Sequence, residues 1–154
     1  MIDPSNGTPV VILKDVNSEM LLPIWVGTYE ANAIALEIEK TSAPRPMTHD
    51  LLRNCLLAFG ARLQRVVITE LRESTFYAVS QIEDADGRAM FLDTRPSDAI
   101  ALAMRFDCPI YVDEEVMRTA RTTGMVTEAD DENDVLEGEE EWPDVIGEAG
   151  DLTM

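Results

Sequence analysis

The chain has 154 residues, of which 45% are apolar, and a formal net charge of −18. Its length and apolar share suit one domain with a real core. Its acidity excludes a protein that holds nucleic acid or anionic membranes through overall charge.

Residues 1–8 carry Asp, Pro, Ser, Asn and Gly and read as an irregular lead-in. Pro9 to Leu13 is a β-branched run, Asp15 to Glu19 a polar turn and Met20 to Val26 a second apolar run, which together predict a hairpin. Pro23 places the second strand at an edge or a bulge, because proline donates no ladder hydrogen bond. Thr28 is the expected N-cap of a helix over 29–40, whose apolar positions are Ala31, Ile34, Ala35 and Ile38. A loop with two prolines follows, and Thr48 is the expected cap of the next helix. Leu52, Cys55, Leu56 and Phe59 form that helix's apolar stripe, and Gly60 suits a left-handed C-terminal cap.

Leu63 to Leu71, Ser74 to Ile82 and Ala89 to Asp93 predict a three-stranded antiparallel meander, with a turn at Asp84-Ala85-Asp86-Gly87. Ser97 is the expected cap of a helix from Asp98 to Phe106, with Ile100, Ala103 and Met104 facing the core. Pro109 to Val112 is a short strand, and Asp113 to Arg121 a final helix with acidic residues at its positive end. The expected organisation is a lead-in at 1–8, a domain at 9–124 and an acidic tail at 125–154. The fold class is α+β: one mainly antiparallel mixed sheet packed by three to four helices.

Twelve acidic residues and no Lys or Arg lie between Glu128 and Met154, so residues 1–127 carry a net charge of only −6. Such a run buries too little apolar surface to offset the ordering entropy, which predicts a disordered tail. Within it, Trp142-Pro143-Asp144-Val145-Ile146 is a small apolar island.

No stretch approaches the roughly 18 apolar residues that span a bilayer, and the start lacks a signal-peptide pattern. A cytoplasmic protein with no membrane partner is expected. Cys55 lies in an apolar helical run and Cys108 just before an apolar strand, and both read as buried reduced thiols.

The chemistry-bearing residues gather in Arg45-Pro46-Met47-Thr48-His49-Asp50 and its echo Arg95-Pro96-Ser97-Asp98, each just before an apolar helical run. Helix initiation accounts for the prolines and hydroxyls. It does not account for arginines near a positive helix end, which become sensible beside an anion, either a phosphate or a protein carboxylate. His49 is the only histidine, and it can be a structural group, a general base or a metal ligand. Neighbouring helical residues point about 100° apart, so His49 and Asp50 need not share a ligand. If the three helix starts converge, Glu30, Asp50 and Asp98 supply metal ligands; otherwise they balance helix dipoles. Trp25 reads as a core or interface aromatic.

Three ordered blocks resemble the bifunctional nuclease (BFN) domain family. The first is Leu22-Pro23-Ile24-Trp25-Val26-Gly27 with Glu30-Ala31 and Ala33-Ile34-Ala35. The second is Arg45 to Leu51. The third is Arg95 to Ala103, followed by Pro109-Ile110 and Glu114-Glu115-Val116. The resemblance runs from Pro9 to Met117. It implies a compact α+β domain that hydrolyses phosphodiester bonds in DNA and RNA, assisted by a divalent metal such as Mg²⁺ or Mn²⁺. The family's signature residues fall on Glu30, Arg45, His49, Asp50, Arg95, Ser97 and Asp98. Within that set His49 and Asp50 are the catalytic candidates, Arg45, Arg95 and Ser97 the phosphate-binding ones, and Glu30, Asp50 and Asp98 the metal ligands. Many bacterial relatives carry the domain without an established reaction. The alternative is therefore a non-catalytic binding or regulatory module for a protein or a small phosphorylated ligand.

Two features depart from the family pattern. Relatives usually carry an additional strand before the segment equivalent to Pro9–Leu13, where this chain has eight residues. Either the protein lacks an edge strand or its start is placed too far downstream; a missing strand would leave a sheet edge that favours a homo-oligomer. The acidic tail is the other departure, and its charge is expected to compete with nucleic acid for the arginines.

Overall fold

The computed structural model describes residues 1–128. The expected tail therefore lies, from residue 129 on, outside the described residues. The elements run β1 (Val10–Lys14), β2 (Met20–Trp25), α1 (Thr28–Ile38), α2 (Thr48–Ala58), β3 (Arg62–Arg72), β4 (Thr75–Glu83), β5 (Ala89–Thr94), α3 (Pro96–Phe106), β6 (Ile110–Val112), α4 (Glu114–Thr122) and β7 (Thr127–Glu128). The class is α+β, but the strands divide into two sheets: a three-stranded β1-β2-β7 and a four-stranded β5-β4-β3-β6.

The β1–β2 hairpin turns on Asp15, a buried carboxylate that accepts from the Asn17 N–H and the Ser18 hydroxyl. Pro23 pairs with Ile12, while β7 reaches only Met20 and Leu21. Among the described residues no strand lies on the other side of Pro23, so its missing N–H costs no ladder bond there. The lead-in folds back on this sheet. Ile2 bridges Pro9, and the Trp25 indole N–H donates to Asp3 Oδ2 at 2.9 Å. Beyond the expected end of the domain, Met125 and Val126 pack on the core before β7 joins β2.

The expected meander is present: β3 pairs antiparallel with β4, and β4 with β5. β6 adds in parallel beside β3. α3 is the centre of the domain, packed on α1, α2, β3 and β4, with Ala99 to Ala103 all buried. An apolar run with no polar face belongs to a helix enclosed on all sides.

α2 corrects two expectations. None of its residues is fully buried, and Leu51, Leu52, Cys55 and Phe59 are exposed; only Leu56 of the expected stripe packs against the core. The helix docks instead through its polar first turns, where His49, Asp50 and Arg53 all bond to α3. Cys55 is thus not a buried thiol. Cys108 is, and burial pushes its pKa up to about 12.

The caps at the three helix starts also shift, by one residue at α1 and α2 and by two at α3. Gly27, Met47 and Arg95 are the N-caps, so Thr28, Thr48 and Ser97 lie inside the first turn and cap nothing. At α2 the Asp50 carboxylate does the capping, accepting from the Met47 N–H at 2.9 Å. Gly60 takes the expected left-handed conformation at φ +73°, and a Cβ there would stand 2.9 Å from that of Ala85 in the β4–β5 turn. No helix among the described residues is long and apolar enough to cross a membrane.

Candidate active site at the helix starts

The starts of α1, α2 and α3 converge through side chains. His49, in the first turn of α2, places Nε2 2.9 Å from Asp98 Oδ1. Arg95, the N-cap of α3, donates from Nε to Asp98 Oδ2 at 2.7 Å and from Nη2 to Glu30 Oε1 at 2.9 Å. The result is a continuous chain Glu30–Arg95–Asp98–His49 across three helices. Each carboxylate sits near a positive helix end, where a negative charge is favoured.

Protonation follows from these partners. Burial alone would raise the Asp98 carboxyl, but hydrogen bonds from Arg95 and His49 outweigh it and hold the group below the ordinary carboxylate value. Asp98 is therefore ionised near neutrality and accepts, so His49 carries its proton on Nε2. Nδ1 is the ring nitrogen left without a partner among the described residues. Arg95 is raised above its usual value, first by Asp98 and then by Glu30. Its Nη1 donors have no partner among the described residues, and its side chain is 67% exposed. It can still bind an anion.

Asp50 belongs to a different cluster. Its Oδ1 accepts from Arg105 Nε at 2.7 Å. Burial pushes its pKa up, but the Met47 N–H and the Arg105 guanidinium more than reverse the effect and leave it lowered. Arg105 also donates to the carbonyls of Ala101, at 2.8 Å, and Ala33, at 3.1 Å. The predicted pair His49 and Asp50 thus face different partners, as their angular separation allows. Arg45 is exposed, lies between Pro44 and Pro46, and makes no hydrogen bond or ion pair among the described residues. Ser97 is buried, and its hydroxyl has no partner among the described residues.

Two residues escaped the sequence. Arg105 was readable in principle, because a charge one turn beyond an all-apolar run is carried into the core and needs partners there. Gly27 was not. A side chain at that position would collide with the Glu30 carboxylate, so glycine lets Glu30 fold back over the helix start.

A family model for the bifunctional nuclease domain matches residues 11–124. The chain belongs to the bifunctional nuclease domain family. An uncharacterised protein of Mycobacterium tuberculosis is 44% identical to it over 119 residues, which cover 77% of this chain and 70% of that one. Bifunctional nuclease 1 of Oryza sativa subsp. indica is 26% identical over 110 residues, 70% of this chain and 33% of the rice protein. The bifunctional nuclease of Oryza minuta matches to the same extent.

Kinship with bifunctional nucleases makes a divalent metal plausible as a cofactor. The side chains as arranged do not form a site for one. Glu30 and Asp98 both face the Arg95 guanidinium, Asp50 faces Arg105, and among the described residues no group of three His, Cys, Asp or Glu side chains could hold a metal ion.

Proposed function

We propose that this bifunctional nuclease domain hydrolyses phosphodiester bonds in DNA and RNA at the His49–Asp98 pair. The observation that carries the reading is the 2.9 Å contact between His49 Nε2 and Asp98 Oδ1. An ionised carboxylate that fixes one imidazole nitrogen as the donor leaves the other as a base of defined orientation. His49 Nδ1 takes a proton from water as the oxygen attacks phosphorus. The bond to the leaving oxygen breaks, and that oxygen is protonated by solvent. The free Nη1 donors of Arg95, beside Ser97 at the start of α3, hold the phosphate oxygens as negative charge grows on them. Asp50 acts through position: tied to Arg105, it sets the first turn of α2 so that His49 reaches Asp98.

No step here runs through a metal; a divalent cation would have to displace the Arg95 guanidinium from Glu30 and Asp98, and its use is a separate element of the proposal. Degradation of DNA and RNA oligonucleotides, with Mg²⁺, Mn²⁺ or EDTA, tests both elements against His49→Ala. Cleavage by the parent chain that is lost in the variant supports the base. Equal cleavage by the two proteins removes it, and full activity in EDTA removes the metal.

The alternative, a non-catalytic binding module, is favoured by one feature: Glu30, Arg95, Asp98 and His49 satisfy one another, as they would in a purely structural tie. That reading predicts no cleavage under any condition and a large loss of stability in His49→Ala.

The proposal extends to a cytoplasmic homo-oligomer. β5 is a sheet edge, and Met90, Phe91 and Leu92 are exposed along it. An antiparallel edge is complementary to a second copy of itself, and an apolar edge left open invites pairing. Light scattering should find Phe91→Lys smaller than the parent protein; equal masses would count against pairing through β5.

A further inference from the structure

A cavity of about 310 Å³ opens beside the His49–Asp98 cluster, between the end of α1, the loop 41–46 and the start of α2. Glu30, His49, Arg95 and Asp98 do not line it, so it is a separate place on the molecule. Arg45, Arg53 and Arg105 line it, against the carboxylates of Glu37 and Asp50. The volume falls at the small end of the range for small-ligand sites, roughly 300–1,000 Å³.

The three guanidinium groups are not equivalent. Arg105 is committed, with Asp50 at 2.7 Å, Glu37 at 3.9 Å and two backbone carbonyls as partners. It offsets one of the two negative charges on the acidic wall, and its donors are already taken. Arg53 donates from Nε to the Arg105 carbonyl at 3.1 Å and lies 5.9 Å from the centroid of the Phe106 ring. Its Nη2 is unspent among the described residues, and its Nη1 makes only a long contact, 3.4 Å, with Asn54. Arg45 has no partner among the described residues. Two arginines therefore line one cavity with donors to spare; of the two carboxylates there, Asp50 is bonded to Arg105 and Glu37 has Arg105 at 3.9 Å.

The loop makes Arg45 more than a stray surface charge. Pro44 and Pro46 flank it, which restricts the backbone on both sides and lowers the backbone part of the ordering cost of binding. Thr41, Ser42 and Asn54 add neutral polar groups to the same wall. A planar guanidinium fork beside a second one, with hydroxyls nearby, matches the oxygens of a phosphate group.

We propose that this cavity is a phosphate-binding site for a nucleotide, with Arg45 and Arg53 as its anion ligands. It does not rest on the hydrolytic reading, because none of the groups assigned to proton transfer lines the cavity.

Calorimetric titration at low salt tests the site, with adenosine 5′-monophosphate, adenosine and inorganic phosphate as probes. The nucleotide should bind, adenosine should not, and Arg45→Ala should weaken nucleotide binding at least tenfold. Arg45→Lys should recover only part of the loss. Arg88→Ala, which removes an equal charge from the exposed β4–β5 turn, should bind as the parent does. Tighter binding of the nucleotide than of phosphate identifies the nucleotide as the ligand. Equal binding of the two supports the anion site but overturns the nucleotide. Absence of binding, insensitivity to Arg45→Ala, or an equal loss in Arg88→Ala overturns the site altogether. A failed cleavage assay with intact, Arg45-dependent binding would remove the hydrolytic reading and leave this one standing.

Discussion

Arg95 and Arg105 stand at opposite ends of α3 and do the same thing in two different media. Each guanidinium joins an α1 group to a carboxylate at the start of α2 or α3. Arg105 is 2% exposed and spends its donors on Asp50, Ala33 and Ala101. Arg95 is 67% exposed and spends only part of its own on Asp98 and Glu30. A buried charge without partners is costly, so the inner tie is fixed once the domain folds. The outer tie is screened by water, so it can exchange a partner for a ligand at little cost. Burial, rather than pattern, separates the structural arginine from the one available for chemistry.

Breaking each tie in turn should expose that difference. Arg105→Ala strands Asp50 and two buried carbonyls, and should cost about 3–5 kcal/mol in denaturant unfolding. Arg105→Lys should recover little of it, because an ammonium cannot reproduce the planar fork. His49→Ala should lower the rate of phosphodiester cleavage by about 100-fold or more, which corresponds to roughly 2.7 kcal/mol of barrier. Arg95→Ala should change stability by no more than about 1 kcal/mol, the ordinary worth of an exposed pair.

Acid sharpens the same contrast. The carboxyls of Asp50 and Asp98 are held below their unfolded value, so the stability they contribute is complete above about pH 4. It is lost as the pH falls through their lowered folded values. Urea midpoints measured from pH 7 down to pH 3 should fall at the acid end, and fall less in Asp50→Asn and Asp98→Asn, which begin lower. A smaller effect still is expected from truncation after Glu128. If the tail competes with nucleic acid, its removal should strengthen oligonucleotide binding at low salt and leave it unchanged at high salt.

Much of the fold was legible because its signals are local. The hairpin from Val10 to Trp25, the meander from Arg62 to Thr94 and the glycine cap at Gly60 each follow from alternation or turn chemistry within a few residues. The orientation of α2 was not legible. Its apolar stripe is real, but a stripe does not say which face docks, and the polar first turns find their partners only on α3. The two-residue β7 that completes the first sheet carries too little pattern to be seen. At the site, Glu30, His49, Arg95 and Asp98 could be named as candidates because each opens a helix. Their pairing could not, since Glu30 and Arg95 lie far apart along the chain. Gly27, which leaves room for the Glu30 carboxylate, and Arg105, which ties α2 to α3 through Asp50, look ordinary in one dimension.

The most direct test of the His49–Asp98 centre is Asp98→Asn, with cleavage rate and melting temperature measured on one sample. The prediction is a loss of about 100-fold or more in rate, with the imidazole proton no longer held on Nε2, and a melting temperature far closer to the parent than that of Arg105→Ala. Cleavage at the parent rate would contradict it, as would a collapse in stability matching Arg105→Ala.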